Sequence, residues 1–190
     1  MIEWLVVPFA YLLGSISSAV VTCRLMSLPD PRDEGSGNPG ATNVMRIGGK
    51  KAAAVTFLGD LLKGLVPVGL AQVLKFTPEI IALTGVAAFI GHLYPVFFGF
   101  KGGKGVATSV GVLLGFSWLL GLSFMLTWLA VYKIGKISSL SALIAAILSV
   151  PFAYFILPDN ARIIAVTLMM VFLLWRHKSN IQRLMAKQET

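Results

Sequence analysis

Two stretches of this chain set side chains that can bind an anion among glycines. The first, residues 30–46, reads D-P-R-D-E-G-S-G-N-P-G-A-T-N-V-M-R, and the second, residues 100–108, reads F-K-G-G-K-G-V-A-T. Nine of the 19 glycines fall within residues 28–51 and 99–105. In the first loop, Asn38 before Pro39 is the pairing expected of a helix N-cap and first turn, so the spacing predicts a short helix over residues 40–46. Free amides and the positive end of the dipole at such a start make an anion site. Ser36, Thr42 and Asn43 add neutral donors to it, and Arg46 a bidentate charge. The second loop places Lys101, Gly102, Gly103 and Lys104 directly before another apolar helix, a second anion site. Phosphate is the natural guest of both, and a single phosphate would need only one. Lys104 is followed by Gly105 instead of Ser or Thr, so this is not a nucleotide-hydrolysing P-loop. The plainer alternative is that the glycines serve turns and the lysines mark a membrane boundary. Topology alone does not require the accompanying Ser, Thr, Asn and Arg donors.

Polar residues elsewhere are few. Asp60 and Lys63 lie three apart in an apolar run, on one helical face. Charges there are costly enough to be functional candidates; a structural ion pair and a part in shaping the site are equally open. His92 precedes Leu93-Tyr94-Pro95 and reads as a helix–helix hydrogen-bonding residue that supports the site. His177 and Asn180 share a face if the last helix continues through them, and could reach a substrate. Arg176, Lys178, Arg183 and Lys187 suit a basic amphipathic end resting on anionic lipid. The sequence lacks an H-x-x-x-x-D box, a G-x-S-x-G elbow and clustered carboxylates, and its two histidines lie far apart. One cysteine, Cys23, allows no internal disulfide and no Cys/His metal spacing. Covalent, metal or cofactor chemistry is therefore not expected; positioning and electrostatics remain.

These residues must be held by membrane-spanning helices. Of 190 residues, 56% are hydrophobic and 13% charged, and mean hydropathy is +0.82, whereas a soluble domain carries about 25% charged residues. Apolar runs occupy residues 2–25, 52–74, 79–98, 106–132, 138–157 and 161–175. The fourth is too long for one span of about 20 residues. The positive-inside rule wants the basic clusters at 32–51, 101–104, 133–136 and 176–187 on one side, which requires a turn near residues 115–121 and two short helices of about 13 residues each. The expectation is an all-α, polytopic helical bundle: a single membrane domain, residues 1–190, with seven transmembrane helices or, without that turn, six. The N-terminus lies outside and the C-terminus in the cytoplasm. No internal repeat supports an inverted-repeat transporter. The formal net charge of +8 fits anionic substrates and lipid, not nucleic acid.

The motifs G-S-I-S-S-A (14–19), G-S-G-N-P-G-A-T-N-V-M-R (35–46), G-D-L-L-K-G (59–64), G-H-L-Y-P-V-F-F-G-F-K-G-G-K-G-V-A-T (91–108) and H-K-S-N-I-Q-R-L (177–184) closely resemble those of the bacterial acyl-phosphate:glycerol-3-phosphate acyltransferases. The resemblance covers nearly the whole chain. It implies transfer of a fatty acyl group from acyl phosphate to the 1-hydroxyl of sn-glycerol 3-phosphate, giving lysophosphatidic acid and phosphate. It also implies a monomer in the bacterial inner membrane with its site facing the cytoplasm. Within that reading Lys104, Arg46 and the amides of Gly102, Gly103 and the Gly40 turn neutralise charge. Ser36, Asn38, Thr42, Asn43, His177 and Asn180 orient substrates, and Lys101 adds to the second loop's charge. Attack is direct, without an acyl-enzyme, the donor's phosphate taking the proton; His92 or His177 as general base is the alternative. An anion channel or phosphate-ester transporter, and an inactive scaffold, are the rivals from other classes.

Overall fold

The computed structural model describes residues 2–189, all helix and connection, with no strand among the described residues. A 3₁₀ turn (Ile2–Leu5) leads into α1 (Val6–Gly14) and α2 (Ser18–Leu25). The first glycine loop joins them to α3 (Ala41–Val73) and α4 (Pro78–Leu93), which ends in a second 3₁₀ turn (Val96–Phe98). Beyond the second glycine loop come α5 (Val106–Phe116), α6 (Trp118–Gly135), α7 (Ser138–Ile156), α8 (Asn160–Arg176) and α9 (Lys178–Met185). By length and composition four helices can cross a membrane, and two bent pairs, α1 with α2 and α8 with α9, bring the number to six. The remaining apolar helix, α5, has 11 residues and is about 17 Å long. Phe89, Leu93, Leu113, Leu120, Phe124 and Met170 fill the centre. Trp118, Leu126 and Phe155 point outward, an apolar exterior that suits lipid.

Three expectations change in detail. The first apolar run is not one straight span: α1 and α2 meet at 44°, with Ser17 extended at φ −77°, ψ 95°. The carbonyl of Ile16, freed at this break, accepts from Lys63 Nζ at 2.7 Å, so a lysine within the apolar part of α3 satisfies a backbone group there. The short helix predicted from residue 40 exists, but Asn38 does not cap it. Gly40 does, its carbonyl accepting from the amides of Asn43 and Val44 at 3.0 Å each. That helix turns at Gly49, at φ +75°, ψ −172°, a conformation essentially reserved for glycine, before α3 resumes. The fourth apolar run does divide, at Ser117 (φ −160°, ψ 127°), but into 11 and 18 residues instead of equal halves. α6 folds back so closely that a Cβ on Gly121 would overlap Leu114.

Glycines also set the register of α3 against α5. A Cβ on Gly111 would overlap the Leu61 carbonyl, and one on Gly64 the Thr108 carbonyl. This is small-residue packing of the kind that holds helices together in membranes. It starts α5 alongside residues 60–64 of α3. From Gly49 to Asp60 is 11 residues, about 16 Å along the helix axis, so the loop before α5 lies well down the length of its neighbour.

Candidate active site

Lys104 is the centre of the candidate site. It precedes Gly105, the left-handed cap of α5 at φ +91°, where a side chain would collide with Phe89. Its ammonium donates to Asn180 Oδ1, joining the second glycine loop to α9. Asn180 Nδ2 in turn donates to Glu189 Oε1 at 2.5 Å. The Glu189 carboxylate also accepts from Ser139 Oγ at 2.7 Å and Arg183 Nε at 2.5 Å. Burial pushes the Lys104 amine down to about 8; Arg183 pushes the same way, Glu189 opposes it, and Arg176 and Arg46 add to the fall. Burial works to raise the Glu189 carboxyl, but hydrogen bonds from Arg183, Ser139 and Asn180 outweigh it and hold the acid below its ordinary range.

His177 and Asn180 are both buried, yet the helix does not run straight through them. α8 and α9 meet at 57° with His177 at the joint, its Nδ1 2.8 Å from the Leu173 carbonyl. A carbonyl can only accept, so Nδ1 carries a proton and Nε2 of the neutral ring is left as an acceptor. Burial pushes His177 down to about 4; the bond to Leu173 opposes this, while the charge of Lys104 adds to it.

The second loop is fixed from both sides. Gly103 N–H donates to the His92 carbonyl at 3.2 Å, and a Cβ on Gly102 would overlap that same carbonyl. The carbonyls of Gly102 and Gly103 accept from Arg176 Nη2 at 2.9 and 3.1 Å, and the Arg176 guanidinium lies 5.7 Å over the Tyr94 ring. The Gly103 amide, expected to face a substrate, is therefore engaged within the protein. So is that of Gly40, bonded to the Asn38 carbonyl at 2.9 Å. Here glycine serves close approach of loop to helix.

Behind the loop lie Asp60, Lys63 and His92, all buried. Lys63 Nζ is 2.8 Å and His92 Nδ1 3.6 Å from Asp60 Oδ1, so the expected ion pair exists and the histidine supports the loop, in keeping with its place in the sequence. Asn43 is also buried, against expectation. Its amide donates to the carbonyls of Pro31 and Glu34 at 2.9 Å each and its Oδ1 accepts from the Ser36 amide at 2.9 Å, which staples the first loop and leaves little for a substrate. Thr42 Oγ1 lies 3.2 Å from Ser138 Oγ, tying that loop to α7. Ser36 and Arg46 are exposed and Asn38 half-buried.

A separate recess of about 330 Å³ opens between the loops, lined by Arg32, Lys101, Gly102 and Arg176. Arg32 is paired with Asp30 at 2.6 Å. The molecule thus offers two cationic places, Lys101 belonging to one and Lys104 to the other. An apolar groove of about 270 Å³, lined by Leu13, Ile16, Leu62 and Val66, runs beside Lys63 at the α1–α2 break. Sequence reasoning missed Ser139 and Glu189, and left Arg176 and Arg183 to the lipid surface. The doubled glycine that lets Arg176 reach two successive carbonyls was the only available signal.

The glycerol-3-phosphate acyltransferase family model matches residues 4–187. The chain is 55% identical over 188 residues to the glycerol-3-phosphate acyltransferase of Methylococcus capsulatus, covering 99% of this chain and 95% of that one. It is 57% identical over 181 residues to that of Hydrogenovibrio crunogenus, covering 95% and 87%. Crystal structures of PlsY, an integral membrane glycerol 3-phosphate acyltransferase, in glycerol 3-phosphate and lysophosphatidic acid forms superpose with TM-scores of 0.95 and 0.93. Each is 38% identical, over 100% of this chain and 95% of theirs. With its bundle, its two glycine loops and its whole length matched, the chain belongs to the glycerol-3-phosphate acyltransferase family, as an integral membrane acyltransferase of the PlsY type.

Proposed function

We propose that the enzyme takes its acyl group from acyl phosphate. The 1-hydroxyl of glycerol 3-phosphate attacks the acyl carbon, the new C–O ester bond forms, and the C–O bond to phosphate breaks. The hydroxyl proton passes to the departing phosphate, so lysophosphatidic acid and inorganic phosphate result without an acyl-enzyme. The observation that carries this reading is the desolvated Lys104 ammonium among arginines, joined to Asn180, with a histidine of weakened basicity beside it. A cation in such a site stabilises phosphate and developing oxyanion charge, each such donor contributing about 3 kcal/mol. A histidine pushed to about 4 is a poor proton acceptor at neutral pH. His177 Nε2 suits orientation of the hydroxyl, and the leaving phosphate is the stronger base. The two cationic places suit two phosphates, and the apolar groove suits an acyl chain reached laterally from lipid.

Within this reading Arg46, Lys104, His177 and Asn180 act on the reacting groups. Ser36, Asn38, Thr42 and Lys101 line the approach, and Asn43, Gly40, Gly102, Gly103, Asp60, Lys63 and His92 hold the loops. The protein works as a monomer in the bacterial inner membrane. α5 counts as a seventh, short span, which puts the N-terminus outside and the site in the cytoplasm. The test is purified protein in lipid with labelled glycerol 3-phosphate and, in parallel, acyl phosphate or acyl-CoA. Equal amounts of labelled lysophosphatidic acid and phosphate from acyl phosphate alone are expected; product from acyl-CoA alone overturns the donor. His177→Asn with His92→Gln tests the proton route: the pair keeps a measurable rate with a pH profile of the wild-type shape, whereas a general base would leave none.

A further inference from the structure

The Glu189 carboxylate sits where an anion is wanted. Its side chain is 8% exposed, and its two oxygens take hydrogen bonds from Asn180 Nδ2, Ser139 Oγ and Arg183 Nε. Asn180 holds Lys104 with its other end, so the acid lies one amide away from the ammonium. Two oxygens, a negative charge and three converging donors are what one edge of a phosphate monoester would present and require. The chain reaches this place by reversing after α9. Lys187 is left-handed at φ +55°, its amide bonds to the Leu184 carbonyl at 3.1 Å, and the Gln188 amide bonds to the Arg183 carbonyl at 2.8 Å. That turn brings Glu189 back over the helix that carries Asn180 and Arg183.

We propose that Glu189 is an internal competitor for phosphate: its carboxylate fills the Asn180–Ser139–Arg183 pocket in the empty enzyme and must leave before a phosphorylated substrate binds there. This inference rests on the acyltransfer reading for which substrate displaces it, but not for the pocket itself. Displacement matches charge to charge. The cluster of Lys104, Arg176, Arg183 and Arg46 keeps a counter-ion when empty, and the return of Glu189 helps to expel inorganic phosphate. A site occupied by its own acid about nine-tenths of the time binds about tenfold more weakly than its contacts would allow, because apparent affinity scales with the open fraction.

Glu189→Gln keeps the shape and most hydrogen bonds but removes the charge; Glu189→Ala removes both. In lipid-reconstituted full-length enzyme, both variants are expected to lower the inhibition constant of inorganic phosphate by about three- to tenfold. They lower the KM of one phosphorylated substrate to match, which says whether glycerol 3-phosphate or acyl phosphate uses the pocket. If Glu189 merely braces α9, its loss raises both constants, and raised or unchanged constants in both variants overturn the proposal. Calorimetric titration of wild type and Glu189→Gln with inorganic phosphate separates the same outcomes without turnover. Wild type that binds phosphate more weakly than the variant yet makes no product would uphold the pocket and remove the acyltransfer reading.

Discussion

Two charged clusters lie within this bundle and behave oppositely. Around Asp60 the charges are closed on themselves: Lys63 answers the carboxylate and the Ile16 carbonyl, and His92 packs against the same acid. Around Lys104 the cations outnumber the acid, and the connections run through two uncharged or acidic side chains, Asn180 and Glu189. A balanced buried cluster holds structure, since removing one partner strands the other. An unbalanced one at the edge of a loop is completed by what it binds. On the proposed reading, the count of charges around a buried ion separates a brace from a site better than burial does.

Substitution should widen this contrast. Lys104→Ala is expected to lower kcat/KM by about 10²–10³-fold with the melting temperature in lipid or detergent nearly unchanged, measured by product formation and thermal unfolding. Asp60→Asn should do the reverse. A stranded Lys63 costs about 3–5 kcal/mol, read as a melting temperature about 10 °C lower, with smaller loss of rate in the surviving folded protein. Equal loss of stability in both variants would abolish the distinction.

Acidity gives a finer separation. Lys104 titrates near 8, so its cation is present below that pH and disappears above it. kcat/KM is expected to fall about eightfold between about pH 7.5 and 9, following the charged fraction. Lys104→Arg, whatever its absolute rate, should lose this fall. The smallest effect is expected at Asn43→Ala, which removes three bonds from the first loop. KM for the phosphorylated substrate that uses this loop should rise about fivefold while kcat changes less, consistent with about 1 kcal/mol per bond partly recovered by solvent.

Much of this was legible in the sequence because its signals are local. The glycine loops, the i,i+3 spacing of Asp60 and Lys63 and the overlong fourth run each lie within a few turns of chain. The bend after α1 had a local mark, since Gly14, Ser15, Ser17 and Ser18 interrupt the first apolar run at the break, but a span read from overall hydropathy passes over so short a polar patch. The inward turn of Asn43 was not legible, since its partners Pro31 and Glu34 look like ordinary loop residues. Lys104 and Asn180 are joined across 76 positions, a separation that spacing rules do not reach. Glu189 was invisible because a single acid in a basic tail reads as solvated until the turn at Lys187 is seen.

The register of α5 on α3 has a kinetic consequence. Gly64 and Gly111 start the short helix alongside residues 60–64 of α3, about 16 Å beyond the turn at Gly49, so Lys104 waits below the level of that turn. Under the proposed acyl transfer, a donor with a fatty chain then meets the ammonium while its tail stays among the lipids. For such a reactant the governing quantity is its mole fraction in the leaflet, not its molarity in solution. Diluting it with inert lipid at constant total amount should slow the enzyme, whereas enlarging the aqueous volume should not.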